Sequence, residues 1–235
     1  MTHSLRLLLS MPHPCSYLAE QTASDLFIDP AAPMNAVIYS QLAQQGFRRS
    51  GDHIYRPHCS NCTQCKPVRL KVDSFKRSRQ QRRCWNKNLD LTITTTRTPD
   101  RKEHLALFER YVKSRHSGGG MDEFEGDGPF DFFKGEWSET LFYEFRDPQE
   151  ALIAVAVSDQ LLDGLSAVYS YFDPNESSRS LGVMSVLWQI EQAREMSHPY
   201  LYLGYWIANS QKMRYKSNYQ PLEYFEEEQW HLLQD

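Results

Sequence analysis

Three consecutive runs decide the fold: GLSAVYSYF at residues 164–172, SLGVMSVLWQIEQAREM at 180–196 and YLYLGYW at 200–206. The first and last are short, rich in β-branched and aromatic residues, and read as strands. In the middle run Leu181, Met184, Leu187, Trp188, Ile190 and Ala193 recur at helical spacing, which makes it the longest helix. Asp173-Pro174-Asn175 turns the chain ahead of it, and His198-Pro199 stops it. Upstream, Thr140–Phe145 and Ala151–Ser158 read as two further strands. Residues 151–157 are almost continuously apolar, as in a central strand covered on both faces. Downstream, 209–215 reads as a short helix, with closing strands near 222–225 and 229–233. Strands interrupted by one long helix make this an open mixed sheet of α+β class.

Toward the N-terminus, Leu89–Thr96 alternates apolar and polar residues, and Pro99 and Asp100 start a helix to about Arg115. A change of composition falls between these two elements. It divides the chain into residues 1–95, an N-terminal cysteine-rich, basic subdomain, and residues 96–235, the domain of the open mixed sheet. Within the first part, Asn35 caps a helix of about eleven residues that Gly46 ends. Phe47–Arg56 reads as a hairpin turning at Ser50-Gly51-Asp52. Val68–Val72 alternates apolar and charged residues, the pattern of a half-buried strand, and Asp73 or Ser74 caps a basic helix over Phe75–Asn88. Hydrophobic residues make up 40% of the chain and charged ones 24%, which places it among ordinary folded proteins. The apolar start at Leu5–Leu9 is too short to span a membrane and lacks a small-residue cleavage site, so a cytoplasmic setting is expected. Five cysteines, an odd number with three closely spaced, argue for reduced thiols and against a disulfide framework.

Charge is unevenly spread. Nine Lys/Arg stand between Lys66 and Lys87 against one acid, Asp73, which leaves 17 basic and 29 acidic residues elsewhere. Most charge runs are solvated helix faces, but an acidic chain has no solubility need for such an island. Lys76, Arg77, Arg79, Arg82 and Arg83, with Trp85 nearby, are therefore the candidate RNA-binding face. In the same stretch Cys59-x-x-Cys62-x-x-Cys65 can bring three thiols to one ion, with Cys15, His58 or Cys84 as the fourth ligand. Tetrahedral zinc or an iron–sulfur cluster fits such a set, and the bland alternative is a tight loop with free thiols. The run Gly118-Gly119-Gly120 lacks the Lys-Ser/Thr of a phosphate loop. It reads as a loop near a site, followed by Asp122 and Glu123 as acid/base groups or plain surface acids.

The strand, turn and helix with Arg179-x-x-Gly182 resemble GCN5-related N-acyltransferases, whose Gln/Arg-x-x-Gly-x-Gly/Ala turn cradles a pyrophosphate at a helix N-terminus. Met184 stands where that pattern has Gly or Ala, which favours the fold without acetyl-CoA. Across nearly the whole length the chain resembles the bacterial branch of the arginyl-tRNA–protein transferase family. The motifs are Pro14-Cys15-Ser16-Tyr17-Leu18, Tyr55-Arg56-Pro57-His58-Cys59 with Cys62 and Cys65, and Lys66-Pro67-Val68-Arg69. Ser78-Arg79-Gln80-Gln81-Arg82-Arg83, Arg115-His116-Ser117-Gly118-Gly119, Tyr205-Trp206-Ile207, Lys212-Met213-Arg214-Tyr215-Lys216 and Pro221-Leu222-Glu223 complete them.

The resemblance implies a GCN5-like catalytic half and transfer of leucine from leucyl-tRNA to the N-terminal amine of proteins beginning with Asp or Glu, which marks them for degradation. An arginyl donor, and a metal-bound RNA-binding module without enzymatic activity, are the alternatives. Eukaryotic relatives link N-terminal cysteines to a metal or cluster, and Cys15, Cys59, Cys62 and Cys65 are the counterparts here. The chemistry itself needs no cofactor, because the aminoacyl ester is already activated. The attacking α-amine has a pKa of about 7.7–8.0, so positioning and oxyanion stabilisation dominate over base strength. Tyr169, Tyr205 and Tyr215 are the expected catalytic hydroxyls. Arg115, Lys212, Arg214 and Lys216 are the cations expected to read the acceptor carboxylate.

Overall fold

The computed structural model describes residues 5–115 and 128–234. In chain order the strands and helices are β1 (Leu7–Leu9), β2 (His13–Pro14), β3 (Thr22–Ala23), β4 (Asp25–Ile28), α1 (Ala36–Gln44), β5 (Arg48–Ser50), β6 (His53–Pro57) and β7 (Lys66–Lys71). They continue as α2 (Arg79–Lys87), β8 (Thr92–Thr96), α3 (Arg101–Arg115), α4 (Gly128–Phe133), β9 (Glu139–Arg146), β10 (Leu152–Gln160), β11 (Gly164–Phe172), α5 (Leu181–Glu195), β12 (Tyr200–Trp206), β13 (Leu222–Glu226) and β14 (Gln229–Leu232).

Eight strands form one mixed sheet in the order β14-β13-β7-β12-β11-β10-β9-β8. Among the described residues its neighbours are antiparallel except β11 and β12, which run parallel because α5 carries the chain between them. Leu187, Ile190 and Ala193 of α5 are fully buried against Ala154, Ala156, Leu165 and Leu201 on one face. The opposite face is shared. Helices α3 and α4 pack Leu107, Phe108, Phe130 and Phe133 onto Val155, Val157 and Tyr171. A four-stranded sheet, β1-β4-β6-β5, and α1 close the remainder through Tyr39, Phe47 and Ile54 around Leu161 and Tyr202.

Several sequence expectations change in this setting. The strand around Val68–Val72 is not half-buried: Val68, Arg69 and Leu70 are all buried, and β7 lies deep in the large sheet. Arg69 is accommodated because its guanidinium lies 3.7 Å from the Tyr200 ring centroid and 4.2 Å from that of Trp230, and Nε donates to Glu223 at 2.8 Å. The basic helix begins four residues later than expected. Ser78, not Asp73 or Ser74, is its N-cap, in a capping box with Gln81. Likewise 209–215 forms no regular helix; a 3-10 turn at Arg214–Asn218 takes its place. Strands from both sides of residue 95 belong to the same sheet, so the compositional divide at 95/96 is not a break in hydrogen bonding. No helix among the described residues is long and apolar enough to cross a membrane.

The N-terminal layer is bolted to the sheet by a buried ion pair. Arg49 Nε meets Asp159 at 2.5 Å and Nη2 meets its other oxygen at 2.7 Å, with both side chains almost wholly excluded from water. Thr140 and Tyr39 donate to the same carboxylate at 2.8 and 3.0 Å. The remaining guanidinium hydrogens go to carbonyls of Phe132 and Phe133 at the end of α4. Removing one partner strands the other charge in the core. Asp159→Asn is therefore expected to lower unfolding free energy by about 3–5 kcal/mol in urea titration. The paired change Arg49→Met with Asp159→Leu should lose less than the single change.

Candidate functional site

β11 and β12 pair only at Gly164–Tyr200, Leu165–Leu201 and Ser166–Tyr202. Beyond that point β11 stays with β10 and β12 stays with β7, so the parallel strands part in the middle of the sheet. Irregular register between Val157 and Ser158 in β10, and between Tyr202 and Gly204 in β12, flanks the opening. Gly204 sits at φ +78°, a conformation that glycine adopts without strain.

Arg48 enters this opening from β5. Successive residues of a strand face opposite ways, so Arg49 turns to Asp159 while Arg48 turns to the gap. Arg48 Nη1 donates to Ser166 Oγ at 2.7 Å, and Nη2 donates to the Ala167 carbonyl. A side chain on Gly204 would place its Cβ 3.4 Å from Arg48 Nε, so the missing side chain leaves room for the guanidinium. Lys216, in the 3-10 turn, is buried and within electrostatic reach of Arg48. Its Nζ donates to the Tyr205 carbonyl at 2.6 Å and lies 3.5 Å from Met213 Sδ. Pro67, opposite Tyr205 in the ladder, has no N–H to offer that carbonyl. Burial, and secondarily the Arg48 charge, pull the Lys216 amine down to about 7.

The predicted catalytic hydroxyls separate. Tyr169 lies on β11 with its oxygen buried and without a hydrogen-bond partner among the described residues, and burial raises its phenol well above the ordinary value. Tyr215 lies in the turn next to Lys216, exposed at its surface. Tyr205 is different. Its hydroxyl meets the carbonyls of Gly46 and Tyr55, each at 3.1 Å, so its single proton is used in docking the N-terminal layer onto β12. Of the predicted cations, Lys216 alone is placed in the opening among the described residues. Lys212 and Arg214 are exposed on the adjoining segment. Arg115 is the last residue of α3, and the glycine run with Asp122 and Glu123 lies outside the described residues. Arg48 was missed because three residues of a short hairpin carry no sign of which one the tertiary structure leaves without an acid.

Helix α2 abuts the same region. Gln81 Nε2 donates to the Asn218 carbonyl at 3.0 Å, two residues from Lys216. Lys76, Arg79, Arg82 and Arg83 are exposed. Arg77 leaves that set: Nη2 pairs with Glu191 at 2.8 Å and the guanidinium covers the Trp85 ring at 3.6 Å. Trp85 in turn stacks on Trp188, so it is not open to a base. Cys84, Asn88 and Lys87 donate to carbonyls of Ser178, Arg179 and Ser180, which sets α2 over the start of α5.

Cys15, Cys59, Cys62 and Cys65 approach one another. Burial, then the neighbouring sulfurs of Cys15, Cys59 and Cys62, push the Cys65 thiol up to about 12. Cys59 and Cys62 face each other across a β-bridge, and Cys59 Sγ donates to the Ser24 carbonyl at 3.8 Å. No group of three or more His, Cys, Asp or Glu among the described residues is arranged to hold a metal ion. The predicted zinc or iron–sulfur ligand set is therefore not assembled, and no step of the reaction is derived through it.

Lys216 gives a pH signature. Its folded pKa lies below the unfolded value of about 10.4, so above pH 7 the unfolded chain holds the extra proton and stability rises with pH. Relative to Lys216→Met, the wild type should gain about 2 kcal/mol between pH 7 and 9 in urea titrations. A flat difference would show that the amine stays charged.

The family description "Arginine-tRNA-protein transferase, N terminus" matches residues 13–83, and "Arginine-tRNA-protein transferase, C terminus" matches residues 103–226. The chain is 49% identical over 227 residues to a protein of Nitrosococcus oceani named aspartate/glutamate leucyltransferase, spanning 97% of this chain and 95% of that one. A protein of Saccharophagus degradans with the same name is 49% identical over 228 residues, 97% of each chain. The solved structure of L-PGS from Bacillus licheniformis covers 60% of this chain and 45% of that one, at 10% identity and a TM-score of 0.46. The chain therefore belongs to the arginine-tRNA-protein transferase family.

Proposed function

We infer that this protein transfers leucine from leucyl-tRNA to the N-terminal amine of proteins beginning with Asp or Glu, marking them for degradation in the cytoplasm. The observation that carries the reading is the match, over nearly the whole chain, to relatives whose name states that transfer. The geometry supports it: a cationic opening in a mixed sheet, with a basic helix hydrogen-bonded to the turn that lines it.

The acceptor ammonium first loses a proton to water, and the neutral amine then attacks the ester carbonyl of leucyl-tRNA. The C–N bond forms, the tetrahedral intermediate carries negative charge on oxygen and positive charge on nitrogen, and the ester C–O bond breaks as the nitrogen gives up a proton and the ribose oxygen leaves as a hydroxyl with it. The protein supplies position and charge. Tyr169, kept protonated by burial, and Tyr215 are donors for the oxyanion. Arg79, Arg82 and Arg83, with Lys76, hold phosphates of the acceptor stem. Lys212 and Arg214, exposed charges that steer more than they bind, draw the acidic N-terminus toward the opening, and Arg115 is assigned to the same task.

A strand–helix–strand unit with parting parallel strands supports the GCN5-related fold for this half. Three features disfavour an acetyl-CoA donor. Ser180 starts α5 at φ +55°, Arg179 is paired with Asp90 and Glu176, and α2 covers the place where a pyrophosphate would sit. A non-enzymatic RNA module would leave the cationic opening without a use.

Radiolabelled leucyl-tRNA, incubated with purified protein and an Asp-initiated peptide, should pass its label to the peptide. No transfer, or transfer from arginyl-tRNA alone, would overturn the reading. Changing Arg79, Arg82 and Arg83 together to Ala should weaken tRNA binding and reduce the slope of log K against log salt by about 1 for each phosphate no longer neutralised. An unchanged slope would remove α2 from the tRNA footprint.

A further inference from the structure

Most of the buried or half-buried arginines away from the opening have acids beside them; half-buried Arg56 instead donates to the Gln45 carbonyl and lies over the Phe47 ring, on the outer hairpin. Arg49 meets Asp159, Arg69 meets Glu223, Arg77 meets Glu191, Arg146 meets Glu103 and Glu144, and Arg179 meets Asp90. The opening is different. Among the described residues Arg48 meets the neutral oxygens of Ser166 and Ala167, and Lys216 meets a carbonyl and a thioether. A guanidinium and an amine that burial has made partly neutral thus share the opening, with no acid paired to either among the described residues. Besides Lys216, the Arg48 charge is felt by Tyr39, Tyr55, Tyr205 and Tyr215, phenols raised above the ordinary value and uncharged at neutral pH; Asp159 is reached from Arg48 only through Ser166 and Tyr39, and is already paired with Arg49. Such an arrangement is costly alone and relieved by an anion. A guanidinium has five N–H groups, and two are accounted for by Ser166 and Ala167, so three have no acceptor among the described residues. Gly204 adds no side chain to obstruct them.

We propose that Arg48, supported by Lys216, is the group that reads the acidic side chain of the acceptor's N-terminal residue. This rests on the acceptor class inferred above and deepens it. Telling Asp from Asn is a matter of one full charge on nearly the same shape. Exposed cations such as Lys212 and Arg214 are hydrated and screened, and discriminate weakly. A half-buried guanidinium with no acid beside it discriminates more strongly than they do, because the neutral amide leaves the charge uncompensated. The fork geometry also matches a carboxylate, which a lysine does not.

The test compares Arg48→Gln and Arg48→Lys with the wild type. Measured are kcat/KM for peptides beginning with Asp and with Asn, the Kd for leucyl-tRNA, and the thermal midpoint. The expected result for Arg48→Gln is a fall of about 100-fold or more for the Asp peptide. The Asp-to-Asn ratio should collapse toward one, with the leucyl-tRNA Kd within about twofold of wild type. An equal fall for both peptides would overturn the proposal in favour of a role at the reacting carbonyl. A raised Kd for leucyl-tRNA would overturn it in favour of a tRNA phosphate. If Arg48→Gln does not fold, the dipeptides Asp-Ala and Asn-Ala are compared as inhibitors of the wild type. Equal inhibition by the two would equally overturn the assignment. Wild-type protein that transfers nothing to an Asp peptide overturns the function itself, which is a separate outcome.

Discussion

A buried pair of opposite charges holds this molecule in register. Asp159 stands on the central strand β10 with no access to water, and is tolerable there only because Arg49, Thr140 and Tyr39 surround its oxygens with donors. Each donor comes from a different element: the β5 hairpin, strand β9 and helix α1. The same guanidinium takes up carbonyls at the end of α4. One carboxylate therefore fixes the N-terminal layer, the large sheet and the α3–α4 layer relative to one another. Hydrophobic contact alone would hold these layers together but would leave their sliding less restricted, because apolar burial has no direction. An ion pair with four hydrogen bonds has one satisfactory geometry.

That restraint is what makes the neighbouring residue useful. Pleating sends Arg48 to the other side of the strand from Arg49. With Arg49 pinned, Arg48 has one place to go, the gap where β11 and β12 part. The two adjacent arginines have the same chemistry and opposite circumstances. One is neutralised by the fold, and the other is held in the fold without an acid. Lys216 reaches the same place from a segment after the last parallel strand, brought there by a carbonyl that Pro67 cannot satisfy. The site thus draws on three stretches of chain far apart in sequence, and is assembled by the packing of layers.

Much of the architecture was legible from local pattern. The helix after Asn35 has its predicted cap, with the Asn35 side chain accepting from the Ile38 amide. Residues 152–157 of the apolar run 151–157 are a strand buried on both faces, with Ala151 exposed just ahead of it. The long helix and the strand after His198-Pro199 are where periodicity puts them. Errors arise where a distant partner changes the meaning of a residue. Arg69 reads as solvent-facing until Tyr200, Trp230 and Glu223 enclose it. Arg77 and Trp85 read as a nucleic-acid surface until Glu191 and Trp188 occupy them. Tyr205 reads as a free hydroxyl until Gly46 and Tyr55 present their carbonyls.

By itself the sequence determined the sequence-local features: most of the helices and strands after Asn35, the mixed α and β composition of the C-terminal half, and the concentration of positive charge before residue 88. These follow from periodicity, capping and charge count, which short windows contain. Only the tertiary structure decided that β7 runs through the large sheet and that, among the described residues, Arg49 is paired with an acid while Arg48 meets only neutral oxygens. The reason is physical. Whether a charge is a structural bolt or an open hand depends on what lies within a few ångströms of it. For Arg48 and Arg49 those neighbours stand more than a hundred residues away along the chain.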